Sequence, residues 1–221
     1  MRSSGACGAN SPRTQFEWAN AREDATDDDR LDAVLGLNRL SVESALSLGV
    51  LLVAHGQHRL EASDLSYSIA RDVYRSLNVN SESESTIVDL GCGYGRVGFF
   101  GAVLWGQKYH GIEILAERVG EARRVQRQLC LDSLRFEVGN IVTCAWPDSA
   151  YYLMLNSVLP RYLPEVIERF RQIAATRSIT IVSVSTANEQ FRRQHWLYEV
   201  IPTNPSAALP VCLRLFKSER A

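Results

Sequence analysis

Several features that would identify other classes of protein are missing from this 221-residue chain. It has no apolar run near the ~18 residues needed to cross a membrane, and its first residues lack the apolar stretch of a signal peptide. Its five cysteines are scattered, odd in number and never in a C-x-x-C pair, which indicates thiols in a reducing cytosol. We therefore expect a soluble cytoplasmic protein with no membrane partner and no metal ion.

The chain also lacks an excess of charge of either sign. Its formal net charge is −1, neither the basic balance of a dedicated nucleic-acid binder nor the acidic balance of a disordered tail. Nucleic acid is thus the less expected partner, and the oligomeric state is not indicated. With 46% hydrophobic residues, the chain can bury a core as one domain with an extension.

The polar amino-terminal segment differs in composition from the rest of the chain. Residues 1–30 end in the charged run REDATDDDR and predict a loose, solvated tail. Residues 31–80 predict an amino-terminal helical extension or lid, because apolar residues recur at three- and four-residue intervals from Leu31 to His55 and again over 61–77. Residues 81–221 then form the main domain.

Segments with strand-like and helix-like patterns alternate through the main domain. This alternation predicts an α/β sandwich of three layers, in which five parallel strands are followed by a terminal antiparallel hairpin. Four arginines of the helix over 115–131 are expected on its solvated face. The predicted strands lie near 86–90, 109–114, 134–139, 151–156, 178–185, 195–202 and 210–217, the helices over 96–105, 115–131 and 162–174, and the arginines are Arg118, Arg123, Arg124 and Arg127.

The block VDLGCGYG, residues 88–95, carries the clearest chemical signal. Glycines between a strand and a helix let the backbone approach a ligand beside free N–H groups. A P-loop is excluded because no Gly-Lys-Ser/Thr follows, whereas a dinucleotide site stays open because Glu113 stands where a ribose-binding acid is wanted. Asp89 argues against a pyrophosphate, which it would repel, and favours a cofactor that carries a sulfonium and an ammonium.

VDLGCGYG and the following GIE, residues 111–113, resemble the class I, seven-strand, S-adenosylmethionine-dependent methyltransferases over about 86–217. The resemblance implies a Rossmann-like, mostly parallel seven-strand sheet. It also implies direct methyl transfer to a nucleophile, an amine in our interpretation, on a protein side chain or small molecule. More narrowly, the Gly-Arg pair, GIE and Asn156 are similar to lysine methyltransferases of the disruptor-of-telomeric-silencing type and their prokaryotic relatives.

The resemblance also assigns roles to individual residues. Asp89 would accept from the cofactor ammonium or from a water that it holds, and Glu113 from both ribose hydroxyls. Asn140 would contact the adenine, with Ile141 against the ring, while Asn156 faces the transferred methyl and Tyr67 helps to orient the substrate. The full cofactor-binding set is Asp89, Gly91, Cys92, Gly93, Gly95, Glu113, Ile114, Asn140, Ile141 and Asn156.

Other functions stay open on the sequence alone. The chain could be a catalytically inactive S-adenosylmethionine-binding partner or regulatory protein, or a nucleotide-dependent oxidoreductase. His110 and His195 are the possible bases for an oxygen nucleophile. Methylation of a nucleobase is disfavoured because Asn156 is not followed by a Pro-Pro-Tyr-like sequence. The methyl acceptor itself is not identified.

Overall fold

Eight helices and seven strands make up the part of the chain that the computed structural model describes, residues 11–22, 26–46, 65–77, 85–184, 187–200 and 213–218. The strands are β1 Ile87–Leu90, β2 Tyr109–Glu113, β3 Leu134–Val138, β4 Tyr151–Leu155, β5 Thr180–Val184, β6 Leu197–Val200 and β7 Leu213–Ser218. The helices are α1 Pro12–Ala21, α2 Asp28–Leu35, α3 Arg39–Ala45, α4 Tyr67–Leu77, α5 Arg96–Trp105, α6 Ala116–Gln128, α7 Leu163–Ala174 and α8 Ala187–Arg192, with a 3₁₀ turn at Pro160–Tyr162.

The seven strands form one sheet in the order β3-β2-β1-β4-β5-β7-β6. Strands β1 to β5 are parallel, and β7 runs antiparallel to both β5 and β6. The mostly parallel, Rossmann-like sheet with an antiparallel terminal hairpin is therefore confirmed. The direction of strand addition reverses between β1 and β4, and open α/β sheets bind ligands at the carboxyl ends of strands at such a point.

The sheet separates two apolar cores, which explains why its central strands are nearly continuous apolar runs. In β1, Ile87 belongs to the core under α1, α2, α4, α5 and α6, whereas Val88 belongs to the core under α7 and α8. Both side chains are fully buried. A strand buried on both faces holds its carboxyl end rigidly, and that end carries Asp89.

The prediction of a loose tail over residues 1–30 is wrong over the described residues 11–22 and 26–30, which form α1 and begin α2. Ser11 accepts a hydrogen bond from the Thr14 backbone N–H and starts α1, whose Phe16 packs against Tyr67 and Phe100 at ring distances of 5.3 and 5.6 Å. Phe16 and Ala19 are fully buried. Helix α1 has only one short apolar turn among polar residues, so its sequence shows no helical periodicity. Its structure depends instead on tertiary contacts.

The acidic run at residues 27–29 is also structured, because it begins α2. Asp27 caps the helix by accepting from the Arg30 N–H, and Asp28 and Asp29 occupy the first turn, where negative charge complements the helix dipole. The apolar pattern from Leu31 to His55 does not form one continuous helix, because Gly36 adopts a left-handed conformation and ends α2. Residues 47–64 and 78–80 of the predicted helical extension lie outside the described residues.

Within the described part of the chain, no helix combines the length and the apolar character needed to cross a membrane.

Candidate functional site

The glycine loop between β1 and α5, residues 91–95, lies at the carboxyl edge of the sheet beside the start of the segment after β4. Gly91 has a φ of 86°, and a Cβ at this position would overlap the Ser157 side chain. Gly93 has a φ of 56°, and a Cβ there would meet no atom within 4 Å. The loop is therefore packed closely against the β4 end at Gly91 and is open at Gly93, where a ligand has room to approach.

Asp89 is a buried acid with only one of its oxygens paired. Its Oδ2 accepts a hydrogen bond from the Tyr109 hydroxyl at 2.6 Å, whereas Oδ1 is buried and has no partner among the described residues. Burial raises the pKa of Asp89 from its ordinary value of 3.8 to about 7, against the hydrogen bond from Tyr109, and the nearby Glu113 raises it further. A cation or hydrogen-bond donor at Oδ1 would satisfy the orphaned oxygen, so the site fits a positively charged ligand.

Glu113, at the end of β2, is held by two backbone donors. Its Oε2 accepts from the Gly93 N–H and its Oε1 from the Leu115 N–H, each at 3.0 Å. Because each carboxylate oxygen can accept two hydrogen bonds, one acceptor position per oxygen is left by these contacts. The two hydroxyls of a ribose would fit this pair of positions.

Arg118 of α6 stands next to Glu113 and is buried, so the predicted solvated face is wrong for this arginine. Its Nη1 lies 3.9 Å from Glu113 Oε1, and its Nε and Nη2 donate to Glu43 of α3 at 2.8 and 3.2 Å. Glu43 Oε1 also accepts from the Tyr94 hydroxyl of the glycine loop at 2.7 Å. The amino-terminal extension thus contacts both the glycine loop and the neighbour of Glu113.

Tyr67 is the first residue of α4 and is fully buried. Its hydroxyl donates to Asp32 of α2 at 2.8 Å, and the Arg96 guanidinium lies over its ring. Asp32 also accepts two hydrogen bonds from Arg96, the first residue after the glycine loop. The Tyr67 hydroxyl is thus hydrogen-bonded to Asp32 of the extension. Its role in orienting the substrate stays a prediction.

The residues assigned to the adenine lie after β3. Asn140 is exposed, and its Oδ1 accepts from the Val142 N–H at 2.9 Å, which closes a turn. Ile141 is buried, while Ile114 is half-buried between Glu113 and α6. Cys92 packs against Gly111, and burial raises the pKa of its thiol well above the ordinary range, so it is not a reactive thiolate.

Asn156 follows β4 in a left-handed conformation, with a φ of 59° and an exposed side chain. The next residue, Ser157, has a buried Oγ without a hydrogen-bond partner in the described ranges. The structure therefore brings Asp89, the glycine loop, Glu113 and Asn156 to one edge of the sheet. It does not bring the Tyr67 hydroxyl to them.

Neither candidate histidine lies at this edge. His110 is the second residue of β2, near its amino end, and its Nε2 lies 3.1 Å from Glu137. His195 precedes β6, which runs in the direction of β5. His195 therefore stands toward the opposite edge of the sheet from Asp89. His110 is in register with Val88, so its side chain lies on the other face of the sheet from Asp89, and neither histidine is placed to act as a base at the glycine loop.

That opposite edge also has a depression of about 700 Å³, at the amino ends of β1, β4 and β5. Asp148 and Arg177 in its wall form an ion pair of 2.9 Å. Since α/β folds of this type bind ligands at the carboxyl ends of their strands, we assign the site to the glycine loop.

Sequence reasoning missed Glu43, Arg118 and Ser157. One signal could have identified Arg118, which stands three residues after Leu115 and four before Ala122, on the apolar stripe of its own helix. An arginine on a buried stripe requires an acidic partner. Glu43 and Ser157 carry no such local signal, because their contacts join segments far apart in the sequence.

Comparison with known proteins adds three findings. A family model described as a methyltransferase domain matches residues 81–199. The fold is similar to yhhF of Escherichia coli, with a TM-score of 0.55 and 13% identity over 77% of this chain and 98% of that one. It is also similar to TrmN from Thermus thermophilus, with a TM-score of 0.53 and 13% identity over 73% of this chain and 51% of that one, so the chain covers about half of TrmN. No curated protein matches the chain in sequence.

Proposed function

The chain belongs to the methyltransferase domain family, and from that premise we propose that it uses S-adenosylmethionine to methylate an amine on a protein side chain or a small molecule. The observation that carries the choice of cofactor is the orphaned, buried Oδ1 of Asp89. S-adenosylmethionine bears a sulfonium and an ammonium and has no phosphate. Its charge therefore complements this acid.

The negative charge of the site favours S-adenosylmethionine over a dinucleotide. Above pH 7, where Asp89 is mostly ionised, a pyrophosphate at the glycine loop would stand near two carboxylates, those of Asp89 and Glu113, and the repulsion would be strong at this partly desolvated position. An ammonium in the same place would donate to Asp89 Oδ1 or to a water held there. Glu113 retains acceptor positions for both ribose hydroxyls, as described above.

Each residue of the site has a distinct part in the proposed reaction. When bound, S-adenosylmethionine supplies a methyl group on a sulfonium, which is transferred directly to a nucleophile. Asp89 and Glu113 would fix the two ends of the cofactor, and Asn140 and Ile141 would border its adenine. Asn156 would orient the acceptor from the end of β4, so that catalysis comes from alignment and the exclusion of water.

The acceptor class rests on the residues around Asn156. An amine must arrive unprotonated, and the exposed Asn156 amide can accept from its N–H while the departing proton passes to solvent. The sequence Asn-Ser-Val-Leu at 156–159 differs from the Asn-Pro-Pro-Tyr-like pattern typical of enzymes that methylate nucleobases. We therefore favour an amine on a protein or small molecule over nucleic acid. The narrower resemblance to lysine methyltransferases stays a prediction.

Methyl-labelled S-adenosylmethionine and fractionated cell lysate test this proposal. The purified protein is expected to transfer label to the protein or small-molecule fraction, and the Asn156→Ala variant, which lacks the amide that would orient the acceptor, is expected to transfer less. Label in the nucleic-acid fraction would overturn the acceptor class. Cofactor binding without any labelled product would instead indicate a regulatory S-adenosylmethionine-binding protein.

A further inference from the structure

We propose that α3 of the amino-terminal extension is part of the cofactor site, in which Glu43 acts through Arg118 as a positioning residue that keeps the Glu113 carboxylate available for the ribose. This inference rests on the function proposed above. It assigns a role to a carboxylate that lies 70 residues before Glu113 in the sequence.

The geometry places Arg118 between two carboxylates and bonds it to one of them. Its Nε and Nη2 donate to the two oxygens of Glu43 at 2.8 and 3.2 Å, in the paired arrangement that suits a guanidinium. Its Nη1 lies 3.9 Å from Glu113 Oε1, too far for a hydrogen bond. Arg118 therefore contributes positive charge beside Glu113 without occupying its remaining acceptor positions.

Arg118 is only 4% exposed, so loss of Glu43 would take a paired carboxylate away from a buried guanidinium. A buried guanidinium that loses its paired carboxylate is strongly unfavourable unless another acceptor replaces it. Among the residues that the structure describes, the Glu113 carboxylate is the other acidic group beside Arg118, and a small rotation of Arg118 would bond the two directly. Such a bond would take an acceptor position that the ribose needs.

Glu43 also contacts the glycine loop, the other element of the proposed cofactor site. Its Oε1 accepts from the Tyr94 hydroxyl at 2.7 Å, in addition to Arg118 Nε. Burial acts to raise the pKa of Glu43, but the hydrogen bonds from Arg118 and Tyr94 lower it overall, so the carboxylate is charged at neutral pH. The ionised Glu43 side chain thus joins α3 to the glycine loop and, through Arg118, to the surroundings of Glu113.

Calorimetric titration with S-adenosylhomocysteine, which carries the same ribose, tests the proposal. We expect Glu43→Gln to weaken binding about tenfold, the effect of losing a charged hydrogen-bond partner. Glu121→Gln is the matched control. Glu121 also joins the extension to α6, accepting from the Asn38 N–H at 2.7 Å and pairing with Arg124, but it contacts neither the glycine loop nor Glu113. This control is expected to bind within about twofold of the parent protein.

A double-mutant cycle with Glu113→Gln separates positioning from general stability. If Glu43 acts through Glu113, the tenfold effect falls to about twofold in the Glu113→Gln background, because there is no carboxylate left to position. Equal effects in both backgrounds, or parent-like binding by Glu43→Gln, would overturn the inference. Should Glu43→Gln not fold, Glu43→Asp, which keeps the charge but shortens the reach, replaces it. A parent protein that binds neither S-adenosylhomocysteine nor S-adenosylmethionine would instead refute the proposed function.

Discussion

Asp89 shows that a single residue suited to ligand binding can destabilise the free protein. The residue is 2% exposed, and one of its carboxylate oxygens lacks a hydrogen-bond partner in the described structure. Burial of an incompletely paired carboxylate favours its protonated form. The free protein therefore carries a destabilising group that a cation or a hydrogen-bond donor at Oδ1 would satisfy.

The raised pKa of Asp89 predicts the direction in which the free energy of unfolding changes with pH. It is raised from 3.8 to about 7, so between these pH values the unfolded chain loses a proton that the folded chain keeps. The free energy of unfolding then falls as the pH rises through this window, by up to about 4 kcal/mol. Asp89→Asn removes this dependence, and we expect it to be more stable than the parent at pH 8, by about 2 kcal/mol.

Urea denaturation at pH 5 and pH 8 measures this effect. The advantage of Asp89→Asn over the parent should be larger at pH 8, because at pH 5 the parent retains most of its native proton. The same variant should bind S-adenosylmethionine about tenfold more weakly, having lost the negative charge. A stability difference that does not vary with pH, or unchanged cofactor affinity, would contradict our account of Asp89.

Gly91 supplies a second prediction for a single residue. Its left-handed φ of 86° and its contact with Ser157 both exclude a side chain, so Gly91→Ala is expected to lower the free energy of unfolding by about 2–4 kcal/mol. Gly120 in α6 is the control, because a Cβ there meets no atom within 4 Å. Gly120→Ala should raise stability by about 0.5–1 kcal/mol. Equal effects at the two positions, measured by chemical denaturation, would refute the packing argument.

The sequence predicted the position of residues whose neighbours are local. Asp89, the glycines and Glu113 lie at the carboxyl ends of adjacent strands, and strand ends can be read from apolar runs. The partners of Arg118 could not be predicted, because Glu43 reaches it across 75 residues of chain. The orphaned Ser157 Oγ was equally unpredictable, because it depends on how closely the turn after β4 approaches Gly91.

At the scale of elements, the contact between α2 and α5 holds the extension onto the main domain. Asp32 is buried and accepts hydrogen bonds from Tyr67, Arg96 and Arg39. Arg96 directly follows the glycine loop, so its position determines how the loop enters α5. The extension is therefore joined to the candidate site through α2 as well as through α3.

Breaking this buried hydrogen-bond network should lower the free energy of unfolding. Asp32→Asn removes the carboxylate that accepts two hydrogen bonds from the buried Arg96 and leaves only the longer ion pair of 3.6 Å with Asp28. We therefore expect a loss of about 3–5 kcal/mol in the free energy of unfolding. Glu17→Gln disrupts the exposed Arg13–Glu17 pair, whose side chains are 65% and 54% exposed, and serves as the control. Its effect should stay below about 1 kcal/mol. Similar unfolding midpoints for both variants in urea would show that the network does not anchor the extension.

Elements of the main domain were easier to predict than those of the extension. Strands β1, β4 and β5 are mostly apolar, whereas β2 and β3 also carry polar residues. Helices α5, α6 and α7 lie within a residue or a few of their expected bounds. By contrast, α1 has few apolar residues, and α2 begins in an acidic run that also suits a disordered segment. Their burial against α4 and α5 decides their structure, and the short α8 has too few residues to give a pattern.

For the whole molecule, topology determines where chemistry can occur. The sheet order brings the ends of β1, β2 and β4 together at one edge, and this edge carries Asp89, Glu113 and Asn156. The extension covers the same side through Glu43 and Asp32. The central claim is that the crevice formed there accepts a cationic, phosphate-free cofactor.

Calorimetric titration of the purified protein with S-adenosylmethionine, beside a parallel titration with NAD, tests that claim most directly. Our account predicts saturable binding of S-adenosylmethionine, weakened in Asp89→Asn, and no binding of NAD. Binding of NAD together with no measurable binding of S-adenosylmethionine would contradict it.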